Sequence, residues 1–314
     1  MIFNFIDNNR ILLTGGNGFV GSHVKTVLEK KTSGKLEILI PARKKDDLRK
    51  VENCLRLTKD IDLIIHLAGT VGGIGYNKEN PGSMFYDNIL MGINLIEAAR
   101  INKVGKFVCI GTVCSYPKLT PVPFRENYLW EGYPEETNAP YGLAKKVLLT
   151  MLQAYRQQYG FEGIYLLPVN MYGPGDNFDP KSSHVVASLI KKIYDAKKSK
   201  KKSVSVWGDG SASREFLYVE DAVDAIILAA ERYSKQDPIN IGTGKEITIK
   251  KLVQTLVKLM NYSGKIVWDE TKPNGQPRRC LDVSQAEKEF GFMAKTSFEA
   301  GLKKTIQWYQ KESF

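Results

Sequence analysis

The chain has 314 residues, of which 43% are hydrophobic and 25% charged, and its formal net charge is +11. This length and composition predict one large domain or two closely associated lobes, and they exclude collagen-like, repetitive and intrinsically disordered chains. No apolar run reaches the roughly 18 residues of a membrane-spanning helix, and residues 1–10 lack the basic and apolar segments of a secretory signal, so neither a membrane nor secretion is expected.

Four cysteines, with neither a Cys-x-x-Cys pair nor a Cys/His metal spacing, predict free thiols, no metal site and a reducing cytoplasm. Part of the positive charge lies in the run Lys191–Lys202, which carries seven lysines. Aromatic residues are not interleaved with them as base stacking requires, so nucleic acid is not an expected partner. We interpret the run as a solvated loop, and the basic surface as suited to a substrate with a diphosphate.

The first half of the chain alternates short apolar runs with helical patterns. Strands are predicted at 10–16, 36–41, 62–69, 106–112 and 163–170. Helices are predicted between them at 22–31, 84–102 and 141–159. This alternation predicts right-handed βαβ units and a parallel sheet with helices on its faces.

The second half is more interrupted, with turn-rich stretches at 172–180 and 273–279, a strand at 204–208 and a helix at 249–260. We therefore predict an α/β protein with a Rossmann-type doubly wound parallel sheet in residues 1–170. A smaller C-terminal α/β substrate lobe is predicted mainly from residues 171–314. A segment near 215–243, including a strand at about 239, is expected to return to the large sheet.

A glycine-rich turn, TGGNGFVG at 14–21, follows the first strand and opens the first helix. Gly15 permits a tight turn, Gly18 lets a pyrophosphate approach the backbone, and Gly21 lets the helix pack on the strand. The free amides of the helix N-terminus then bind the negative charge. The turn therefore predicts a dinucleotide site, and its candidate cofactor-binding residues are Gly15, Asn17, Gly18, Phe19, Val20 and Gly21.

The end of the second strand distinguishes NAD from NADP. An acidic residue there would bind the ribose 2′-hydroxyl and repel a 2′-phosphate. This chain has Arg43, Lys44 and Lys45 instead, which favours NADP(H). Asp46 and Asp47 follow directly, and solvent-facing charge after a strand is the alternative interpretation.

Tyr141 and Lys145 are four residues apart on a predicted helix, which places them one turn apart on one face. A nearby ammonium is expected to lower the pKa of the tyrosine into a working range for proton transfer. Thr112, at the carboxyl end of the fourth predicted strand, is placed to polarise a carbonyl. This group predicts reduction of a ketone by hydride transfer.

These motifs, TGGNGFVG, HLAG at 66–69, GT at 111–112 and Y-x-x-x-K, resemble the extended short-chain dehydrogenase/reductases. Further strings resemble the branch of that family that makes GDP-L-fucose, and they extend over essentially the whole chain. They are VGGIGYNKENP, GTVCSYPK, EETNAPYGLAK, PVNMYGPGDNFDPKSSHV and WGDGSASREFLYVEDA. The resemblance implies a bifunctional 3,5-epimerase and NADPH-dependent 4-reductase acting on GDP-4-keto-6-deoxy-D-mannose.

The resemblance also implies residue roles. Cys114 and His184 would invert C3 and C5, and Thr112, Tyr141 and Lys145 would serve the reduction of C4. Cofactor contacts are further implied at Arg43, Leu67, Ala68, Gly69, Tyr141, Lys145, Pro168, Asn170, Met171 and His184. Substrate contacts are implied at Lys192, Trp207, Arg214 and Arg279. Related enzymes pair the helices at 84–102 and 141–159 across a two-fold axis, so a homodimer is expected.

The position of Cys114 can also be argued from spacing. Thr112 and Cys114 leave the same predicted strand end, and side chains two residues apart on a strand point to the same side. Cys114 is therefore expected to face the substrate beside the hydride site, and His184 to approach from the smaller lobe.

Two alternatives stay open at this point. One is a related nucleotide-sugar C4 reductase that does not epimerise, with a heptose or a dideoxy sugar such as the colitose precursor as substrate. The other is a non-catalytic module of the same fold that senses NADP or binds nucleic acid. That module predicts the loss of Tyr141 or Lys145, and both residues are present.

Overall fold

The computed structural model describes residues 10–31, 36–272 and 274–312. Residues 1–9 of the predicted cofactor domain and Pro273 of the second turn-rich stretch lie outside the described residues. The strands are β1 (Arg10–Thr14), β2 (Glu37–Leu39), β3 (Leu63–His66), β4 (Lys106–Ile110), β5 (Gly163–Pro168), β6 (Asn170–Tyr172), β7 (Ser203–Trp207), β8 (Ser213–Tyr218), β9 (Ile239–Ile241), β10 (Glu246–Thr248) and β11 (Lys265–Asp269).

Six of these strands form one parallel sheet in the order β2-β1-β3-β4-β5-β9. Every residue of β3, β4 and β5 is buried, as expected for strands covered by helices on both faces. The order reverses between β1 and β3, so the carboxyl ends of these strands border a crevice where such sheets bind ligands. The predicted Rossmann-type fold class is confirmed.

The helices are α1 (Phe19–Lys31), α2 (Val51–Leu57), α3 (Ile74–Glu79), α4 (Pro81–Ile101), α5 (Ala139–Tyr159), α6 (Val185–Lys198), α7 (Val219–Arg232), α8 (Ile249–Leu259), α9 (Ser284–Phe290) and α10 (Phe298–Glu312). Helix α4 packs along α5 beside the large sheet, and α1 packs against α7. None of the described helices is long and apolar enough to cross a membrane.

A second apolar core lies apart from the core of the large sheet. It fills the space between α6, α8 and α10 and two small sheets, one with the order β10-β8-β6 and the other pairing β11 with β7. The predicted strand at 163–170 is divided between the two regions. After Pro168 the chain leaves the large sheet, and Asn170 begins a strand that pairs with β8.

The interpretation of Lys191–Lys202 as a solvated loop is wrong for most of the run. Residues 191–198 form the second half of α6. Ile190, Ile193 and Ala196 are buried on one face of this helix, while its lysines lie on the opposite side or at its end. These three residues are spaced three apart and form an apolar face. Burial of that face stabilises the helix, although the segment is rich in lysine.

Candidate active site

The glycine-rich turn leaves no room for side chains. Gly15 has φ of 73°, and a Cβ on it would lie 2.8 Å from the amide nitrogen of Ala68 after β3. A Cβ on Gly21 would overlap the carbonyl oxygen of Gly15. The turn, the start of α1 and the end of β3 are therefore in direct backbone contact. The amide of Gly18 bonds the carbonyl of Gly15 at 2.9 Å, and the first amides of α1, which precede the intrahelical bonds, are suited to a pyrophosphate.

Two polar contacts that the sequence did not indicate fix the floor of this turn. The hydroxyl of Thr14 shares a 2.8 Å hydrogen bond with Nδ1 of His66, which ties β1 to β3. The buried side chain of Asn88, on α4, bonds both the amide (3.1 Å) and the carbonyl (2.9 Å) of Thr70. These bonds hold Leu67, Ala68 and Gly69, which were predicted to contact the cofactor, at the edge of the crevice.

Arg43, Lys44 and Lys45 are all exposed beyond β2. The two neighbouring acids face elsewhere. Asp46 accepts the amide of Ala42 at 2.9 Å and a guanidinium hydrogen bond from Arg56 at 2.5 Å. Asp47 is bound by Arg49, and this contact lowers the pKa of the Asp47 carboxyl to about 2. Because both carboxylates are engaged, the free charge at this strand end is positive, as a 2′-phosphate requires.

Thr112 and Tyr141 meet at the carboxyl end of β4. The Thr112 hydroxyl is near enough to the Tyr141 phenol to act on its pKa, and α5 approaches so closely that a Cβ on Gly142 would overlap the carbonyl oxygen of Cys114. The hydroxyl of Ser115 donates to the carbonyl of Gly142 at 2.9 Å. The Y-G pair in the sequence is therefore a packing requirement as well as a catalytic signature.

The expectation that Lys145 lowers the pKa of Tyr141 is wrong for this structure. Burial raises the pKa of the Tyr141 phenol and outweighs the hydrogen bond from Thr112. Burial also lowers the pKa of Lys145, which lies beside the loop that contains Gly69. The phenol consequently keeps its proton at neutral pH, which suits a group that donates a proton.

The expected strand geometry at Cys114 is also wrong. Strand β4 ends at Ile110, and residues Val113–Ser115 form a 3₁₀ turn capped by Thr112, whose hydroxyl accepts the amide of Cys114 at 3.1 Å. A tight turn, rather than alternation along a strand, therefore brings the thiol next to the Thr112–Tyr141 pair. The Cys114 side chain is half-buried, whereas the other three cysteines are buried.

Arg214 and Arg279 enter the site from the second half of the chain. Nη1 of Arg279 donates to the sulfur of Cys114 at 3.6 Å, and both arginines are bound to the loop that follows Asn274. Burial, followed by the charge of the nearby Arg279, lowers the pKa of Arg214 to about 10. Within the described part of the chain neither guanidinium has a carboxylate at ion-pair distance. Arg279 is buried and Arg214 is half-buried, and two neighbouring cations with no ion pair among the described residues make this region suited to an anion.

His184 is the residue before α6, and its loop is anchored to the segment before α3. The amide of Gly73 donates to the carbonyl of Ser182 at 3.0 Å, and a Cβ on Gly73 would lie 2.7 Å from the carbonyl oxygen of Ser183. Desolvation lowers the pKa of His184, so the imidazole is neutral at pH 7. No hydrogen bond among the described residues joins His184 to Cys114.

Trp207 ends β7 with 47% of its surface exposed. The ammonium of Lys192, on α6, lies 6.0 Å from the centre of its ring, and that of Lys272 lies 5.8 Å away. Lys272 was not singled out from the sequence, since a lone lysine in a loop carries no pattern. An exposed indole flanked by two cations is suited to a flat aromatic ring that carries phosphate.

The predicted cofactor contacts Pro168, Asn170 and Met171 lie where the chain passes from β5 to β6. The side-chain amide of Asn170 donates to the carbonyl of Glu215 at 3.2 Å, which adds a side-chain bond between the paired strands β6 and β8 of the small sheet. No group of His, Cys, Asp and Glu among the described residues could hold a metal ion.

This combination of a parallel sheet, a glycine turn and a Thr-Tyr-Lys group at its carboxyl edge defines a dinucleotide-dependent enzyme of the extended dehydrogenase/reductase type. The family model described as "NAD dependent epimerase/dehydratase family" matches residues 11–242, and the chain belongs to that family.

Within the family, the chain is similar to enzymes of GDP-sugar metabolism. It is 36% identical to a GDP-L-fucose synthase of Escherichia coli K12, over 97% of each chain. It is also 36% identical to a GDP-L-colitose synthase of Yersinia pseudotuberculosis, over 96% of this chain and 98% of that one.

Solved structures of enzymes that act on GDP-sugars also superpose on this chain. A GDP-L-fucose synthetase from Naegleria fowleri bound to NADP superposes with a TM-score of 0.89 at 26% identity, over 100% of this chain and 97% of that one. A GDP-6-OMe-4-keto-L-xylo-heptose reductase from C. jejuni superposes with a TM-score of 0.90 at 25% identity, over 99% and 100%.

Proposed function

We propose that this protein is a bifunctional 3,5-epimerase and NADPH-dependent 4-reductase that converts GDP-4-keto-6-deoxy-D-mannose into GDP-L-fucose. One observation carries the proposal: the half-buried thiol of Cys114, with the guanidinium of Arg279 on its sulfur, lies directly beside the Thr112–Tyr141 pair. A ketone reductase needs a hydroxyl group and a proton donor but no thiol. An epimerase needs a base at that place.

The chemistry follows from the C4 ketone, which makes the protons on C3 and C5 acidic. Cys114 would act on one face of the ring and His184 on the other, one removing a proton and the other returning one. Arg279 places a positive charge next to the sulfur of Cys114, where it would stabilise the thiolate form of that side chain. After both inversions, Tyr141 would donate its proton to the C4 oxygen while Thr112 holds that oxygen by a hydrogen bond.

NADP(H) would supply the hydride for this reduction. The first amides of α1, at the end of the turn that contains Gly15, would bind its pyrophosphate, and Arg43 with the adjacent lysines would bind the 2′-phosphate. The buried Lys145 would hold the nicotinamide ribose. The glycine-rich turn after β1, the exposed cations after β2 and the loop after β3 lie beyond the carboxyl ends of neighbouring parallel strands, which supports a dinucleotide there.

The GDP part of the substrate would lie along the second half of the chain. Trp207 would pack on a ring, and Lys192 and Lys272 would face the phosphates. Arg279 was predicted as a substrate contact, and its contact with Cys114 favours a position near the sugar. The half-buried Arg214 adds a second positive charge beside it.

We further propose a homodimer that works in the cytoplasm. Phe85 and Tyr86 on α4 are 40% and 60% exposed, and Val147 on α5 is 40% exposed, although the two helices otherwise pack on the sheet. Burial of these side chains across a two-fold axis would remove apolar surface from water. All four cysteines are free thiols, which suits a reducing compartment. A monomer mass by light scattering at micromolar protein would contradict the dimer.

The test separates epimerisation from reduction. The enzyme is incubated with GDP-4-keto-6-deoxy-mannose in deuterated water without NADPH, and solvent deuterium is expected at C3 and C5. Cys114→Ser should suppress this exchange by about 10² or more and leave reduction measurable. Cys54→Ser, at a buried cysteine that bonds Leu48 away from the cleft, is the matched control and should exchange normally.

Failure of the native enzyme to incorporate deuterium would replace this function with a C4 reductase, the activity named for the C. jejuni neighbour. With NADPH present, identification of the product then distinguishes GDP-L-fucose, inverted at C3 and C5, from a GDP-6-deoxyhexose that was reduced at C4 without inversion.

A further inference from the structure

The buried side chain of Gln276 contacts both sides of the Arg279–Cys114 pair. Its carbonyl oxygen Oε1 accepts from Nε of Arg279 at 3.2 Å and from Nη2 at 2.9 Å. Its amide nitrogen Nε2 donates to the main-chain carbonyl of Lys118 at 3.1 Å. Lys118 lies on the same loop as Cys114, four residues further along the chain.

The orientation of this amide is dictated by its partners. Arginine offers only donors, and a main-chain carbonyl offers only an acceptor, so the opposite orientation would leave every bond unmade. With Nε and Nη2 of Arg279 both held by Gln276, Nη1 is the nitrogen that reaches the sulfur of Cys114 at 3.6 Å. One side chain thus fixes the guanidinium and the thiol loop relative to each other.

The segment that carries Gln276 and Arg279 is itself tied down on both sides. Nη1 of Arg214 donates to the main-chain carbonyl of Gln276 at 2.5 Å. The buried carboxylate of Glu215 accepts the amide of Leu281 at 2.7 Å. Arg214 and Glu215 are neighbours on β8, so a single strand anchors the segment before and after Arg279.

We propose that Gln276 is a positioning residue for epimerisation, which holds the positive charge of Arg279 against the sulfur of Cys114. The inference rests on the proposed function in one respect, the role of Cys114 as a proton-transferring group. Arginine has a long side chain with many rotamers, so a guanidinium without this clamp would spread over several orientations. The sulfur would then lose its cationic neighbour for part of the time.

The reactivity of the Cys114 thiol tests this inference without turnover. Iodoacetamide alkylates thiolates, and Cys114 is the one half-buried cysteine of the four, the others being buried. The site of alkylation is assigned by mass spectrometry, and its rate is measured from pH 6 to pH 10, a range set by the ordinary thiol value of about 8.5. Gln276→Met keeps the length of the side chain and removes all three hydrogen bonds. It should slow alkylation severalfold, because the reacting sulfur loses its cationic neighbour.

Two companion variants sharpen the result. Gln276→Glu has the same shape, so it preserves packing if Gln276→Met does not fold, and its carboxylate neutralises the charge of Arg279. It should also slow alkylation at pH 7. Arg278→Ala is the matched control, because it removes a charge from the exposed neighbour that pairs with Glu246. It should change the rate less than twofold, as expected for a solvent-screened charge.

A double substitution decides whether Gln276 acts through Arg279. Arg279→Gln alone should slow alkylation as Gln276→Met does, and the two changes together should slow it no further. A folded Gln276→Met or Gln276→Glu enzyme with the native alkylation profile would overturn the inference, and so would additive effects. A native enzyme that incorporates no deuterium would refute the proposed epimerase alone, since the alkylation profiles would still report on the clamp.

Discussion

The cofactor side and the substrate side of the cleft are constructed differently. On the cofactor side, Gly15, Gly18 and Gly21 lie within one short turn, and the loop after β3 contacts that turn directly. On the substrate side, Cys114 and Arg279 touch although 165 residues separate them along the chain. Gln276 bridges a similar separation, since its contact with Lys118 spans 158 residues.

This difference explains why the cofactor side of the cleft can be predicted from a sequence more readily than the substrate side. A dinucleotide is bound largely by backbone amides, so the requirement falls on glycine spacing, which is local and can be recognised as a pattern. A particular sugar is bound by side chains from separate loops, and no spacing relates those side chains to one another. The cofactor side therefore resembles that of many enzymes, whereas the substrate side distinguishes one enzyme from another.

The largest expected effect comes from the residue where the two sides meet. Tyr141→Phe removes the proton donor and keeps the ring, so reduction should fall by about 10² to 10⁴. Exchange of deuterium into the keto sugar without NADPH should continue, because Cys114 and His184 are unchanged. NADPH oxidation and mass spectrometry of the sugar measure the two activities separately. Near-normal reduction in this variant would mean that another group supplies the proton.

The second-largest expected effect is a loss of stability, which should impair the cofactor side and the substrate side of the cleft together. Gly142→Ala places a methyl group against the main-chain carbonyl of Cys114, and the backbone there cannot rotate away as a side chain could. Helix α5 must shift, which should cost about 1–3 kcal/mol of stability and lower exchange and reduction alike. Gly82→Ala, in α4 with open space around the glycine, is the control and should leave both rates intact.

Much of this arrangement could be predicted from the sequence, and the failures have physical causes. The alternation of β3, β4 and β5 with helices predicted the parallel sheet because buried strands must be apolar throughout. The 3₁₀ turn at Val113–Ser115 was missed because its stabilising bond, from the Cys114 amide to the Thr112 hydroxyl, is a single local contact without periodicity.

Two further failures concern the surroundings of a residue. The pKa of Tyr141 depends on how much protein covers the phenol, and a sequence does not give burial. Gln276 was overlooked for the related reason that an amide in a turn-rich loop is usually solvated. Here its side chain is buried between the guanidinium of Arg279 and the main-chain carbonyl of Lys118.

A smaller effect, confined to the cofactor side, is expected from Arg43→Ala. The native enzyme should bind NADPH at least about tenfold tighter than NADH, roughly 1.4 kcal/mol, because a 2′-phosphate meets a cluster of exposed cations. The variant should lose most of this preference while exchange of deuterium into the sugar stays native. Lys258→Ala, an exposed lysine on α8, controls for net charge. Equal dissociation constants for the two cofactors in the native enzyme would refute the assignment.

The smallest expected effect concerns stability, and it tests whether the floor of the cofactor side is as rigid as its contacts imply. Burial, together with the nearby Lys145, lowers the pKa of His66 to about 3. In the unfolded chain the imidazole has a pKa of about 6.5, so below that value the unfolded state binds a proton that the folded state refuses. The contribution of His66 to stability is therefore complete above pH 6.5 and is lost progressively as the pH falls towards 3. Between pH 7.5 and pH 5.5 the loss should be about 1.4 kcal/mol.

His66→Gln removes this titration while keeping a group that can bond the Thr14 hydroxyl. Its free energy of unfolding, measured by urea denaturation at both pH values, should fall by about 1.4 kcal/mol less than that of the native protein. Because the remaining ionisable groups are common to both proteins, the difference between them isolates His66. Parallel pH profiles would mean that the imidazole takes up a proton in the folded state. The Thr14–His66 contact would then open readily, and the cofactor side would be no more rigid than the loops that assemble the substrate side.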